Sequence, residues 1–233
     1  MRIRAMIVLA LALVATTASR GAHAQRAEYA KPEELDREGF RHLTELSMLL
    51  EYAHVAEPDA VGELEHIGRF DVRSRWHLAS IPSICMGMDA SIGGSNQGVA
   101  YSVTTYPLGV GVRIGASSVI ATCGGIRYDA IGSKLPRAFS VPAELTVSST
   151  LGPVRPIAWI RPAWVAKQER QNGISGDFAD ELEAGLIVRF GRQRHFWTET
   201  NAGGGPALGV SYRGFLGTYA LGVLVGFDFA GAR

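Results

Sequence analysis

The chain has 233 residues, enough for one domain with a sizeable core, and is 47% hydrophobic and 19% charged with a net charge of +1. That balance excludes a disordered polyelectrolyte and an electrostatic nucleic-acid binder. A mean hydropathy of +0.09 is too polar for a helical membrane protein, yet ordinary for a barrel that shows lipid one residue in two.

Arg2 and Arg4 precede the unbroken apolar run Ala5 to Val14, and Ala22-His23-Ala24 supplies a small-x-small cleavage pattern before Gln25. Residues 1–24 therefore read as a signal peptide, because the run is shorter than the roughly 20 residues a spanning helix needs. Residues 25–42 form a polar lead, flexible or a short helix. Residues 43–233 are expected to form the barrel. No other window approaches a transmembrane helix, so membrane integration has to proceed through strands.

From Leu43 the apolar period becomes two. Leu46, Met48, Leu50 and Tyr52 alternate with Glu45, Ser47 and Glu51, although Phe40, Leu43, Leu46, Leu50 and Ala53 also fit one helical face. Phe70, Val72, Trp76 and Leu78 then alternate with Arg69, Asp71, Arg73, Arg75 and His77, which no helix accommodates. The pattern returns around Ile84–Gly93, Leu108–Ile114, Ile126–Ala130, Phe139–Ser148, Leu182–Gly191 and Tyr219–Phe229. One face carries long aliphatic and aromatic residues, and the other carries Gly, Ser, Thr or charge. Small and ionic residues suit a crowded lumen and bulky apolar ones suit lipid, so an antiparallel up-and-down transmembrane barrel of about ten strands is predicted, with eight as the alternative. A soluble secreted barrel with an apolar ligand is the other fold that this parity permits.

Aromatic residues Trp76, Tyr101, Tyr106, Tyr128, Trp164, Tyr212 and Tyr219 fall toward strand ends, as an interfacial girdle requires. Long connections at 56–65, 94–98 and 167–180 alternate with tight ones at 80–83, 115–118 and 151–153. The connection at 193–206 breaks the alternation, which leaves either a different number of strands there or an additional short strand through Phe196 to Thr200. Glycines at Gly93-Gly94 and Gly203 to Gly205 are read as turn or loop glycines. Pro142, Pro156 and Pro162 should mark bulges or strand ends, because proline cannot donate to a ladder.

The segment from Tyr219 to Phe229, Tyr-Ala-Leu-Gly-Val-Leu-Val-Gly-Phe-Asp-Phe, resembles the closing strand of small bacterial outer-membrane β-barrel proteins. Ala230 to Arg233 extend beyond the last aromatic, where many such barrels stop. The resemblance is one of pattern over the mature region. It implies a bacterial outer-membrane location, with outer-membrane lipid and other envelope proteins as partners.

By parity, the lumen receives Arg69, Asp71, Arg73, Arg75, His77, Asp89, Arg113, Arg127, Asp129, Glu144, Arg161, Glu183 and Arg189, along with Arg155, Arg213 and Asp228. Such charges are expected to pair, because an unpaired ion in a narrow interior is costly. Arginine exceeds carboxylate in this set, which keeps open a narrow channel for small anionic solutes. No cofactor or metal spacing is present, and neither His-x-Ser nor Gly-x-Ser-x-Gly occurs. His77 near Ser80 is the one arrangement from which a lipid-modifying enzyme could be built. Cys85 and Cys123 fall two strands apart. Second-neighbour strands lie about 10 Å apart in a flat sheet, whereas a disulfide needs Cα atoms within about 7 Å, so free thiols are expected. The leading functional expectation is a structural or interaction barrel that presents surface loops, including 167–180.

Overall fold

The computed structural model describes residues 42–78, 83–114, 118–131, 137–149, 151, 154–169, 180–191, 203–215 and 218–232. Ten strands alternate in direction and close into a barrel: β1 (His42–Val55), β2 (His66–Leu78), β3 (Ser83–Ser95), β4 (Gly98–Ile114), β5 (Ser118–Ile131), β6 (Arg137–Ser149), β7 (Val154–Glu169), β8 (Asp180–Phe190), β9 (Gly203–Phe215) and β10 (Thr218–Ala232). Each pairs antiparallel with the next in sequence, and β10 returns to β1. Residues 1–24 and 25–41, assigned to a signal peptide and a polar lead, lie outside the described residues. His42, counted with that lead, is the first residue of β1.

The strand reading of 44–54 holds against the helical one. In β1, Leu49 is fully buried while its neighbour Leu50 is 63% exposed, which is period two and not 3.6. The outer face is a continuous apolar surface that includes Leu50, Ile92, Leu108, Leu208, Val210, Leu221 and Val225. Aromatic residues band it at both ends. Tyr52 stacks with His66, Tyr101 lies against Tyr128 and Tyr212 stacks with Tyr219 toward the end that carries the β1–β2 connection (the loop end). Phe227 and Phe229 stack near the opposite end, where β1 begins and β10 stops (the terminal end).

Tyr106 departs from this girdle. It is 1% exposed and turned inward, because β4 carries an extra residue between Thr105 and Leu108. Pro107 occupies that bulge, where its missing N–H costs no ladder bond. The bulge reverses the parity of β4, so Thr104 and Tyr106 face inward on one side of it and Gly111 on the other.

The cysteines also depart from expectation. Cys85 in β3 and Cys123 in β5 form a disulfide, with Cα atoms 6.4 Å apart. Their register runs Cys85, Gly109, Cys123 straight across β4. The flat-sheet spacing fails here because a small barrel curves sharply inward. Gly109 also has no side chain to hold the sulfurs apart, and a Cβ there would meet Cys123 Sγ at 2.6 Å.

Gly203 to Gly205 are not turn glycines. They open β9 and pair with Ala230, Phe229 and Asp228. The Phe229 ring lies over Gly204, where a Cβ would meet ring carbon Cε1 at 2.9 Å. Gly93 and Gly94 likewise belong to β3. The connection expected to be long at 94–98 is therefore a tight turn at Asn96-Gln97. Pro156 lies near the start of β7, while the β5–β6 pairing skips Pro142 and the β6–β7 pairing skips Pro162 without a register shift at either. Ten strands close the barrel; Phe196 to Thr200, where a further strand was expected as an alternative, lies outside the described residues. Ala230, Gly231 and Ala232 extend β10 and pair with Glu45, Thr44 and Leu43, so the barrel seam runs past the last aromatic.

Candidate functional site

The lumen holds two layers. Toward the loop end lies an apolar cap. The β1–β2 connection folds over the mouth through a 3-10 turn at Pro58–Val61, ended by Gly62 in the left-handed conformation. Val61 and Leu64 from this loop are fully buried against Val55, Ile67, Ala100, Ile131, Phe215 and Ala220. The β3–β4 turn clamps it from the side. Asn96 Nδ2 donates to the Glu63 carbonyl at 2.6 Å, and Asn96 Oδ1 accepts from the Glu65 N–H at 3.1 Å. Gln97 Nε2 donates to the Val61 and Gly62 carbonyls.

Below the cap lies a network of ion pairs. Arg75 bridges Asp89 at 2.5 Å and Glu144 at 2.6 Å. Arg161 reaches Asp89 at 2.5 Å, Glu183 at 2.7 Å and also Glu144. Arg127 holds Glu181 and, at 3.2 Å, Glu183. Arg213 holds Asp129 and lies 3.5 Å from Glu183. Nearer the terminal end, Asp228 accepts from Arg155 at 3.0 Å, lies 3.4 Å from Arg189 and takes the Ser47 hydroxyl at 2.8 Å. Arg155 also holds Glu45. Arg69 sits between Glu51 and Asp71. Tyr106 lies beneath two of these cations, with its ring 4.4 Å from the Arg75 guanidinium and 5.5 Å from that of Arg161.

This arrangement brings together Arg69, Asp71, Arg75, Asp89, Arg127, Asp129, Glu144, Arg161, Glu183 and Arg189. Arg73 is also in the lumen, but it stacks on Trp159 at 4.1 Å and has no carboxylate within ion-pair distance among the described residues. The side chains of His77 and Arg113 lie outside the described residues, as does Ser80. Glu45, Glu51 and Glu181 were not counted with the lumen residues, and with these three the carboxylates are at least as numerous as the lumen arginines among the described residues. The arginine excess expected from sequence is therefore corrected. The signal was present in Glu45 and Glu51, which alternate with the apolar residues of β1. Glu181 was hidden because β8 begins where a loop was expected to end. Trp159 gave no signal either: it fits inward because Gly185, its partner on β8, leaves the space its indole occupies. Trp159, Leu49, Ile157, Ile187, Ala207 and Leu224 form an apolar wall along one side of the lumen.

A cavity of about 40 Å³ is left among Glu45, Ser47, Arg73, Arg75, Glu144, Thr146, Ile157, Trp159, Ile187 and Asp228, in the terminal half of the barrel. No cluster of three potential metal ligands occurs among the described residues.

A closed antiparallel barrel with an apolar exterior and an ionic interior has the architecture of a small outer-membrane β-barrel. No family model matches the chain, and no curated protein matches it. Among solved structures it is similar to the NanC porin, with a TM-score of 0.43 and 9% identity over 77% of this chain and 98% of that one. It is also similar to the translocator domain of the autotransporter NalP from Neisseria meningitidis, with a TM-score of 0.39 and 14% identity over 92% of this chain and 97% of that one.

Proposed function

We propose that this chain is a non-conducting barrel of the bacterial outer membrane with a structural or interaction role, bounded by outer-membrane lipid and presenting loops such as 167–180 to other envelope proteins. The observation that carries this reading is the state of the lumen charges. Guanidinium and carboxylate groups meet side chain to side chain across the interior, as in Arg161 with Asp89, Glu144 and Glu183. An ion passing through would have to break pairs formed at low dielectric, and removing one partner of such a pair costs about 3–5 kcal/mol. The apolar cap of Val61 and Leu64 adds a dry obstruction at the loop end. Export would follow from cleavage before Gln25, which N-terminal sequencing of the membrane-embedded protein checks.

The test is conductance in planar bilayers. The purified barrel, confirmed as folded by heat-modifiable migration on a gel, is expected to give no steady current. Anion-selective steps that vanish on Arg161→Ala would overturn the proposal in favour of a narrow anion channel.

A further inference from the structure

We propose that Arg73 and Trp159 form a binding subsite for a single carboxylate group, at the inner wall of the cavity in the terminal half of the lumen. Every other lumen arginine that the structure describes bonds to carboxylate, whereas Arg73 stacks on the Trp159 ring and makes no ion pair at bonding distance among the described residues, feeling Glu51, Asp71 and Glu183 only through longer-range electrostatics. Stacking on an indole uses the flat face of a guanidinium. The N–H groups lie in its plane and point outward from its edge, so a stacked arginine keeps its donors. A carboxylate binds edge-on, through two parallel hydrogen bonds in that same plane. The two interactions therefore coexist, and the indole holds the fork in one orientation.

The carboxylates around the cavity do not oppose this. Glu45 is held by Arg155, Glu144 by Arg75 and Arg161, and Asp228 by Arg155 and Arg189. Of the acids within electrostatic reach of Arg73, Glu51 and Asp71 both turn to Arg69, and Glu183 is held by Arg161 and Arg127. The cavity's size sets the ligand class. About 40 Å³ takes roughly three waters or one carboxylate, so a larger acid would insert only its head group. The subsite does not depend on the conductance reading above.

Formate is the probe. The full chain, folded in detergent micelles, is titrated with sodium formate at constant ionic strength. Binding is read by calorimetry and by Trp159 fluorescence, with the other three of the chain's four tryptophans changed to Phe. A saturable one-site isotherm is expected, at least about tenfold weaker in Arg73→Gln and intermediate in Arg73→Lys, which keeps charge but loses the fork. Heat-modifiable migration establishes that each variant is folded. Absence of saturable binding to the unsubstituted chain, or equal binding by Arg73→Gln, overturns the proposal.

Discussion

Gly109 has no side chain, and that decides the chemistry of two residues on either side of it. Cys85 and Cys123 flank it in register, and the space above its Cα is where their sulfurs meet. Gly109→Ala would place a Cβ 2.8 Å from Cys123 Cα. The expected result is overpacking worth about 1–3 kcal/mol together with thiols that alkylate without prior reduction, read by mass shift under non-reducing conditions. Asp228 is the corresponding point in the ion network, because Arg155, Arg189 and Ser47 converge on a carboxylate that is fully buried. Asp228→Ala should lower unfolding stability by about 3–5 kcal/mol in urea titrations, since two guanidinium groups lose their shared partner. Parity in the sequence placed Asp228 and both cysteines on the inner face. It could not show their partners, which come from strands 38 residues apart in one case and 73 in the other.

Among the elements, β4 shows how one residue rewrites a pattern. Its extra residue at Pro107 switches the inward parity and moves Tyr106 from the lipid girdle to the stack beneath Arg75 and Arg161. The alternation of Leu108, Val110 and Val112 was legible in the sequence because it lies wholly on one side of the bulge. The β1–β2 loop is the second case. Glu63 adopts a positive φ of 68°, a conformation that costs a non-glycine residue on the order of 1 kcal/mol, and its carbonyl is tied down by Asn96. Asn96→Ala removes two hydrogen bonds to this loop. Faster amide exchange and earlier proteolytic cleavage across residues 57–65 are expected, with the strand ladders unchanged. Equal protection in the variant would show that the apolar contacts of Val61 and Leu64 alone hold the cap.

The whole molecule is inside-out relative to a soluble barrel, and its outer surface carries the corresponding prediction. Leu50, Val225 and Leu208 lie side by side across β1, β10 and β9, each about half exposed or more. Val225→Arg should cost about 2–4 kcal/mol for a barrel folded into vesicles, while Tyr52→Arg in the girdle should cost about 0–1 kcal/mol. Equal costs at the two depths would argue against a bilayer around this belt. By itself the sequence determined the period, the strand class, the lipid face and the sign of most lumen residues. These follow from the strict alternation of side chains along an extended chain, which is a local property. Only the tertiary structure decided which charges meet, that the cysteines join and that a loop caps one mouth. Those depend on closure and curvature, which bring together residues that no local period relates.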